Sequence, residues 1–232
     1  MKLCDFGFLK LEDNFNQFFF SSSERNYCYS FNCHFKFIIE NMFLSYFEKD
    51  IEKPKNGMLN IGMKVGGFSN SDVLGSAKGW AGAFLYNEKA KKALDNFFKR
   101  DDVLSVGICN GCQLFVELGL INKNHEDKPK MLHNRSGKHE SIFTSLTLQE
   151  NNSVMLSTLA GSTLGVWVSH GEGRFSLPYA EDQYKIVAKY AYETYPASPN
   201  GSDYNTAMMC DETGRHLVMM PHIERSLFQW HW

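Results

Sequence analysis

One short stretch, "SVGICNGCQLF", constrains the fold of this chain more than any other part of its sequence. Residues 103–108, which lead into it, have the continuous apolar character of a buried strand of the kind found in parallel sheets. Residues 113–121 have the apolar pattern of a helix. Gly107 and Gly111 flank the junction, and they lack the β-carbons that a sharp turn would crowd. We therefore expect a strand, a tight turn and a helix, with Cys109 at the turn.

Strand and helix patterns continue on both sides of this motif. "MLNIGMKV" is typical of a weak strand, and "NEKAKKALDNFFKR" places Ala90, Leu94, Phe97 and Phe98 on one face of a helix. Four later segments have strand patterns: "SIFTSLTLQ", "LGVWVSH", "YKIVAKYAY" and "HLVMM". Strands that alternate with helices favour an α/β fold, with a mostly parallel central sheet flanked by helices.

Residues 1–57 differ from the rest of the chain. Eleven of the nineteen phenylalanines lie in the first fifty residues, and neither a helical nor an alternating period holds there for long. The "EKPKNG" at 52–57 combines Pro, Gly, Asn and charge, which is typical of a turn or linker. We therefore leave residues 1–57 unassigned and take residues 58–232 as one α/β domain.

Composition excludes several classes of protein. The formal net charge of −2 gives no general attraction for nucleic acid or for an anionic membrane surface, so we expect neither as a partner. No apolar run approaches the roughly 18 residues that span a bilayer, and the first 25 residues lack a signal-peptide pattern. Six cysteines are few for 232 residues, which favours reduced thiols. These features predict a cytoplasmic protein.

Cys109 stands where an α/β protein can use a nucleophile. A residue between a buried strand and a helix projects its side chain above the carboxyl edge of the sheet. The helix that follows aims its N-terminal dipole and unpaired N–H groups at the sulfur, which favours the reactive thiolate. Those N–H groups, beginning with that of Asn110, could also hold a developing oxyanion. The pattern therefore predicts a cysteine nucleophile.

A thiolate nucleophile usually needs a base that a third group orients, and two His-x-Glu segments could supply both. "SHGEG" contains His170 and Glu172, and "PHIER" contains His222 and Glu224. In an extended segment, residues two apart face the same side, so either glutamate could orient its histidine. We prefer His222, because it follows an apolar strand directly. The residues by themselves leave both open.

Two other interpretations of Cys109 remain open on the residues alone. Cys109 and Cys112 have the C-x-x-C spacing of a redox dithiol. The same two cysteines could join Cys28 and Cys33 in a metal site, although structural zinc sites normally use short knuckles. A buried cysteine can also be simply a small apolar core residue.

Six motifs occur in an order that resembles one known family. They are "GGFSNSDVLGSAKGWA", "GICNGCQ", "HNRS", "VSHGEGR", "YPASPNGS" and "MMPHIER", and they extend over about residues 66–230. This order is similar to that in the glutamine amidotransferase domain of phosphoribosylformylglycinamidine synthases, in particular the C-terminal domain of the large single-chain bacterial form. The resemblance implies the fold of class I, triad-type glutamine amidotransferases.

The resemblance also implies a mechanism. Cys109 would attack the side-chain amide of L-glutamine and form a thioester, releasing ammonia. His222 would transfer protons and Glu224 would orient it. Gly67 and Asn110 would supply the N–H groups of the oxyanion hole. Cys112 would have no catalytic role.

Substrate, partner and cofactors follow from the same resemblance. Five residues would be in reach of the glutamine: Gln113, Ser169, His170, Gly171 and Glu172. The ammonia would pass to a synthase domain that converts formylglycinamide ribonucleotide into the amidine in purine biosynthesis. ATP and magnesium would act on that synthase domain, and this domain would need no cofactor and no metal.

Three departures from the family pattern suggest a fragment. Ile223 stands where the family usually has proline. The opening strand and loop of the family are not recognisable in residues 1–57, and the chain ends eight residues after Glu224, where the family continues. We therefore expect residues 58–232 to be a domain that is incomplete at both ends, and we keep a non-catalytic remnant as the alternative to an active glutaminase.

Overall fold

The computed structural model describes residues 60–64, 75 and 77–226, with only the backbone path of 60–64. The chain divides into two compact units, and the described residues of the first are 60–61 and 83–104. The second unit contains the other described residues. Predictions on residues 1–57, which include Cys28 and Cys33, and on Gly67 lie outside the described residues.

Nine strands and three α-helices lie in the described part of the chain. Their bounds are β1 Asn60–Lys64, α1 Lys78–Leu85, α2 Glu88–Phe98, β2 Val103–Ile108, α3 Asn110–Glu117, β3 Lys130–Leu132, β4 Glu140–Leu148, β5 Thr163–His170, β6 Arg174–Ser176, β7 Lys185–Tyr190, β8 Thr206–Cys210 and β9 His216–Met219. Short 3-10 turns occur between some of them.

Helix α2, in the first unit, forms largely as its apolar period predicts. The side chain of Asn87 caps its N-terminus by accepting a hydrogen bond of 3.1 Å from the backbone N–H of Ala90. Four side chains of this helix are buried: Ala90, Ala93, Leu94 and Phe98. Phe97, which the pattern also placed on the apolar face, is only half-buried. The helix therefore follows its sequence signals closely.

Seven strands form one sheet in the order β1-β2-β9-β8-β7-β4-β5, and β3 pairs with β6 in a second sheet. The α/β class predicted from the sequence is confirmed, but the sheet is mixed rather than mostly parallel. Strands β2 and β9 are parallel, whereas the four described pairs from β9 to β5 are antiparallel. The physical reason lies in the connections. Antiparallel neighbours need only a short turn, such as residues 211–215 between β8 and β9, whereas a parallel pair needs a long crossover.

The second half of the described chain contains strands where alternation with helices was expected. Between Glu117 and Ser226 the described residues contain no α-helix, and strands β3, β6 and β8 were not predicted. All residues of β8 and β9 are buried, so these strands form the centre of the core. Strand β4 alternates between buried and more exposed positions in its second half, as its sequence pattern predicts.

Candidate functional site

The turn from β2 into α3 has a strained backbone at Cys109. Cys109 has φ 52° and ψ −108°, outside the regions that residues with a β-carbon normally occupy. Its N–H donates to the carbonyl oxygen of Met219 at 2.8 Å, and its own carbonyl accepts from the N–H of Gln113 at 3.0 Å. Such a conformation costs about 1–3 kcal/mol and persists only where the surroundings impose it. The strand, turn and helix predicted around Cys109 are confirmed.

Gly107 is the residue that allows α3 to start so close to β2. A β-carbon added at this position would lie 2.7 Å from the carbonyl oxygen of Gly111 and 2.9 Å from its carbonyl carbon. Both are backbone atoms, so the helix itself would have to shift. We expect Gly107→Ala to lower the free energy of unfolding by about 2–3 kcal/mol, measured by urea denaturation.

Gly171→Ala is the matched control for this substitution. A β-carbon there would come no closer than 4.0 Å to its surroundings, which is ordinary contact. We expect its effect to stay within about 0.5 kcal/mol, as for most substitutions without a specific clash. Equal stability of the two variants would show that the turn at Gly107 is not sterically restricted.

His222 and Glu224 form a close pair directly after β9. The Nδ1 of His222 lies 2.5 Å from Oε1 of Glu224, and the N–H of His222 donates to the carbonyl of Trp167 at 2.7 Å. A 3-10 turn, Ile223–Arg225, begins directly after His222 and carries Glu224. His222 is 1% exposed, and within the described residues its Nε2 has no hydrogen-bond partner.

The cysteine and this pair lie at the same edge of the sheet. The parallel register sets Ile108 opposite Met219, so the residues that follow β2 and β9 emerge side by side. Strand β5 contacts both of them. Sγ of Cys109 lies 3.7 Å from the carbonyl oxygen of Ser169, and the carbonyl of Trp167, two residues earlier in β5, accepts the hydrogen bond of the His222 N–H. Residues that are more than a hundred positions apart in sequence thus converge here.

Gln113 joins α3 to the segment after β5. Its Nε2 donates to the carbonyl oxygen of Glu172 at 2.7 Å, and its Oε1 accepts from Nδ2 of Asn110 at 3.0 Å. Both amide side chains are buried. Gln113 therefore supports the loop that carries Glu172, although its predicted contact with glutamine stays a prediction.

The loop after β5 presents the carboxylate of Glu172. This half-buried side chain lies 3.5 Å from Nδ1 of His133 and 3.7 Å from where a β-carbon of Gly75 would stand. The Nζ of Lys78 lies 3.9 Å from that same point. The carboxylate of Glu172 thus lies close to one histidine, on a loop that Gln113 joins to α3.

The two His-x-Glu segments differ in what holds the histidine. Nδ1 of His222 faces a carboxylate, whereas Nδ1 of His170 faces Oδ1 of Asn134 at 3.1 Å. Burial, together with the nearby imidazoles of His222 and His139, lowers the pKa of His170 to about 3. Of the two, only His222 has the oriented pairing of a general base.

Cys112 lies in the interior. Its side chain is fully buried, and burial raises the pKa of its thiol well above the usual value. No disulfide joins the three cysteines that the structure describes, Cys109, Cys112 and Cys210. Cys112 would have to become exposed as a thiolate before it could take part in thiol–disulfide exchange.

Two absences hold for the described ranges. No group of three or more His, Cys, Asp or Glu side chains in residues 77–226 is arranged to hold a metal ion. The proposed ligands Cys28 and Cys33 lie outside the part that the structure describes. Among the helices of that part, none combines the length and the apolar character needed to cross a membrane.

Two buried asparagines of the site were not identified from the sequence. Asn134 and Asn200 lie on loops and contact the segment after β5 through their side chains. Both belong to motifs that carried the family resemblance, "HNRS" and "YPASPNGS". The motifs were therefore recognised in the sequence, but no role was assigned to either asparagine.

Comparison with known proteins points to one family. Residues 46–232 match the family described as CobB/CobQ-like glutamine amidotransferase domain. A probable phosphoribosylformylglycinamidine synthase of Arabidopsis thaliana, named as chloroplastic/mitochondrial, is 41% identical over 189 residues, which cover 72% of this chain and 13% of the relative. The synthases of Dictyostelium discoideum and Homo sapiens are 39% and 40% identical, and each match covers 72% of this chain and 14% of the relative.

A solved structure is similar as well. The structure of PurLQS from Thermotoga maritima matches with a TM-score of 0.58 and 27% identity, covering 72% of this chain and 71% of that chain. The resemblance drawn from the six sequence motifs is thereby confirmed. The chain spans about 13 to 14% of the length of the curated relatives described above.

Proposed function

Because this chain belongs to the family of CobB/CobQ-like glutamine amidotransferase domains, we propose that it hydrolyses L-glutamine through Cys109 and supplies the ammonia for the synthesis of formylglycinamidine ribonucleotide in purine biosynthesis. One observation carries the proposal. A strained cysteine at the start of a helix lies at the same sheet edge as a histidine paired with a carboxylate. That combination supports acyl transfer through a thioester.

The first half of the reaction forms the thioester. His222 takes the proton of the Cys109 thiol on Nε2, and the thiolate attacks the carbonyl carbon of the glutamine side-chain amide. The tetrahedral intermediate collapses as the C–N bond breaks, and the proton on His222 passes to the leaving nitrogen, so that ammonia departs. Glu224 accepts the hydrogen bond of Nδ1–H, which keeps Nε2 available and stabilises the imidazolium.

The second half regenerates the enzyme. His222 removes a proton from water, and the oxygen attacks the thioester carbonyl. The C–S bond then breaks, glutamate leaves, and the sulfur regains a proton from His222. The oxyanion of both steps forms beside the first N–H groups of α3, that of Asn110 among them, where the helix dipole favours negative charge. We assign the second donor to Gly67, which lies outside the described residues.

The substrate glutamine is a zwitterion, and the loop after β5 offers a carboxylate for its positively charged end. The carboxylate of Glu172 is suited to the α-ammonium group of glutamine. The same segment contains Ser169, His170 and Gly171. We expect these residues to be within reach of a glutamine whose side chain extends toward Cys109, because the carbonyl of Ser169 contacts Sγ of Cys109. Gln113 holds this segment through the carbonyl of Glu172. These five residues are our proposed glutamine-binding set.

The longer relatives suggest the partner. They are synthases, and this chain corresponds to only a small part of each. We infer that the ammonia passes to a synthase domain, where ATP and magnesium act, while the glutaminase step itself needs no cofactor. The reaction requires a reduced thiol, so we place it in a reducing compartment, the cytoplasm.

A thiol-directed analogue of glutamine tests the assignment. Incubation of the full chain with such an analogue, followed by peptide mass spectrometry, is expected to modify Cys109 and not the buried Cys112. An excess of L-glutamine should protect Cys109. Modification of Cys112 at an equal rate would favour the dithiol, and a folded chain that neither reacts nor releases glutamate would favour the non-catalytic remnant.

A further inference from the structure

Asn134, on the loop after β3, makes four side-chain hydrogen bonds, three of them to residues at the end of β5 and in the segment that follows it. Its Nδ2 donates to the carbonyl of Lys138 at 2.9 Å and to that of His170 at 2.7 Å. Its Oδ1 accepts from the N–H of Gly173 at 3.0 Å and contacts Nδ1 of His170 at 3.1 Å. The backbone N–H of Asn134 donates to the carbonyl of Gly171 at 2.8 Å. One side chain therefore holds both ends of this segment.

These partners fix the orientation of the amide and, through it, the tautomer of His170. Nδ2 faces two carbonyl oxygens, which can only accept, and Oδ1 faces the N–H of Gly173, which can only donate. A flipped amide would bring Oδ1 against the two carbonyl oxygens and Nδ2 against the N–H of Gly173. Because Oδ1 only accepts, Nδ1 of His170 must carry the hydrogen. Its Nε2 is then the bare nitrogen of a neutral ring.

The surroundings of His170 favour the neutral ring. The side chain is 2% exposed, and among the described residues its Nε2 has no hydrogen-bond partner. A second proton would leave a buried N–H without an acceptor. Two imidazoles act on its protonation, that of His222 after β9 and that of His139 just before β4. Glu140 pairs with His170 across β4 and β5, and Sγ of Cys109 contacts the carbonyl of the adjacent Ser169. Glu172 and Arg174 follow two and four residues further along the chain.

We propose that Asn134 is a positioning residue that keeps His170 as the neutral Nδ1–H tautomer, so that His222 is the imidazole that takes up the proton of the thiol. A neutral amide can accept this hydrogen bond without stabilising a positive charge on His170. A charged His170 would oppose the imidazolium that His222 becomes during the reaction, because His170 ends β5 and the N–H of His222 bonds the carbonyl of Trp167, three residues earlier in that strand.

Asn134→Asp keeps the shape of the side chain and places a carboxylate beside Nδ1 of His170, while the two bonds that Nδ2 donates to the carbonyls of Lys138 and His170 are lost. A carboxylate at the same place favours a second proton on His170. Nitrogen-15 NMR of labelled histidines in the full 232-residue chain reports tautomer and charge directly. In the wild type, His170 should show the Nδ1–H tautomer without titration between pH 5 and 8. In Asn134→Asp it should gain a proton within that range.

The kinetic consequence follows from the glutaminase activity proposed above and is measured separately. In Asn134→Asp, kcat/KM for glutamine hydrolysis should fall at least tenfold on the acid side and recover as pH rises, through an ionisation absent from the wild type. Adding His170→Asn to this variant should remove that ionisation. A chain without glutaminase activity would overturn the proposed function, while the NMR result would still decide the state of His170.

Asn200→Asp is the matched control, because Asn200 holds the same segment without contacting His170. Its Nδ2 donates to the carbonyl of Gly173 at 2.7 Å and to the hydroxyl of Tyr190 at 3.2 Å. This variant should loosen the loop without adding an ionisation to the pH profile. An Nε2–H tautomer or a charged ring for His170 in the wild type would overturn the proposal, as would a neutral His170 in Asn134→Asp.

Discussion

Replacing Cys109 with alanine should reduce the release of glutamate from glutamine by a factor on the order of 10⁴ or more, because no other group in the site can form the thioester. The alanine variant should remain folded, since the change removes only one sulfur atom from a turn that other contacts hold. The measurement is a coupled glutamate assay on the purified chain, alone and with a synthase partner.

Cys112→Ala is the control that separates a single nucleophile from a dithiol. Cys112 is fully buried in the first turn of α3, so its loss should cost about 1 kcal/mol of stability through a small cavity and change kcat no more than a few-fold. Equal loss of activity in both variants would support the dithiol. A folded wild-type chain without activity would support a non-catalytic remnant.

Replacing His222 with glutamine should have a comparable effect, at least about 10⁴-fold in kcat, because it removes the proton acceptor of the thiol. Glu224→Gln should cost less, about 10²- to 10⁴-fold, since the amide can still accept the Nδ1–H bond but cannot stabilise the imidazolium. Steady-state glutaminase kinetics on the two single variants give both numbers.

The double variant shows whether Glu224 acts through His222. If it does, His222→Gln combined with Glu224→Gln should be no slower than His222→Gln alone. His216→Gln is the matched control. This buried histidine begins β9, at the end of the strand opposite to His222, and contacts Oγ of Ser105 at 2.8 Å. It should leave kcat within a few-fold. Additive losses would contradict the assigned role of Glu224.

Local sequence signals predicted the parts of the structure that depend on local chemistry. The strand, turn and helix around Cys109 follow from an apolar run and from Gly107, where an added β-carbon would clash with the backbone of Gly111. Strand β5 and helix α2 follow from their apolar periods. The pairing of His222 with Glu224 follows from a spacing of two residues, although only the structure distinguishes it from the similar spacing of His170 and Glu172.

Features that depend on distant partners could not be predicted in the same way. A buried strand has the same sequence pattern in a parallel or an antiparallel sheet, so the antiparallel half from β8 to β5 was not foreseen. Strands β3 and β6, with three residues each, are too short to show a period. The role of Asn134 depends on bonds to His170 and Gly173, more than thirty residues away, which no local pattern contains.

The position of β9 between β2 and β8 also governs when the site can exist. This strand comes last of those described, yet it lies inside the sheet and supplies the carbonyl of Met219 that bonds Cys109. Closing such a distant pair is slow compared with local structure, because the loop entropy is lost before the contact is gained. Strand β9 must therefore be synthesised before Cys109 and His222 can come together, so the proposed glutaminase site cannot form on a chain that has not yet reached β9.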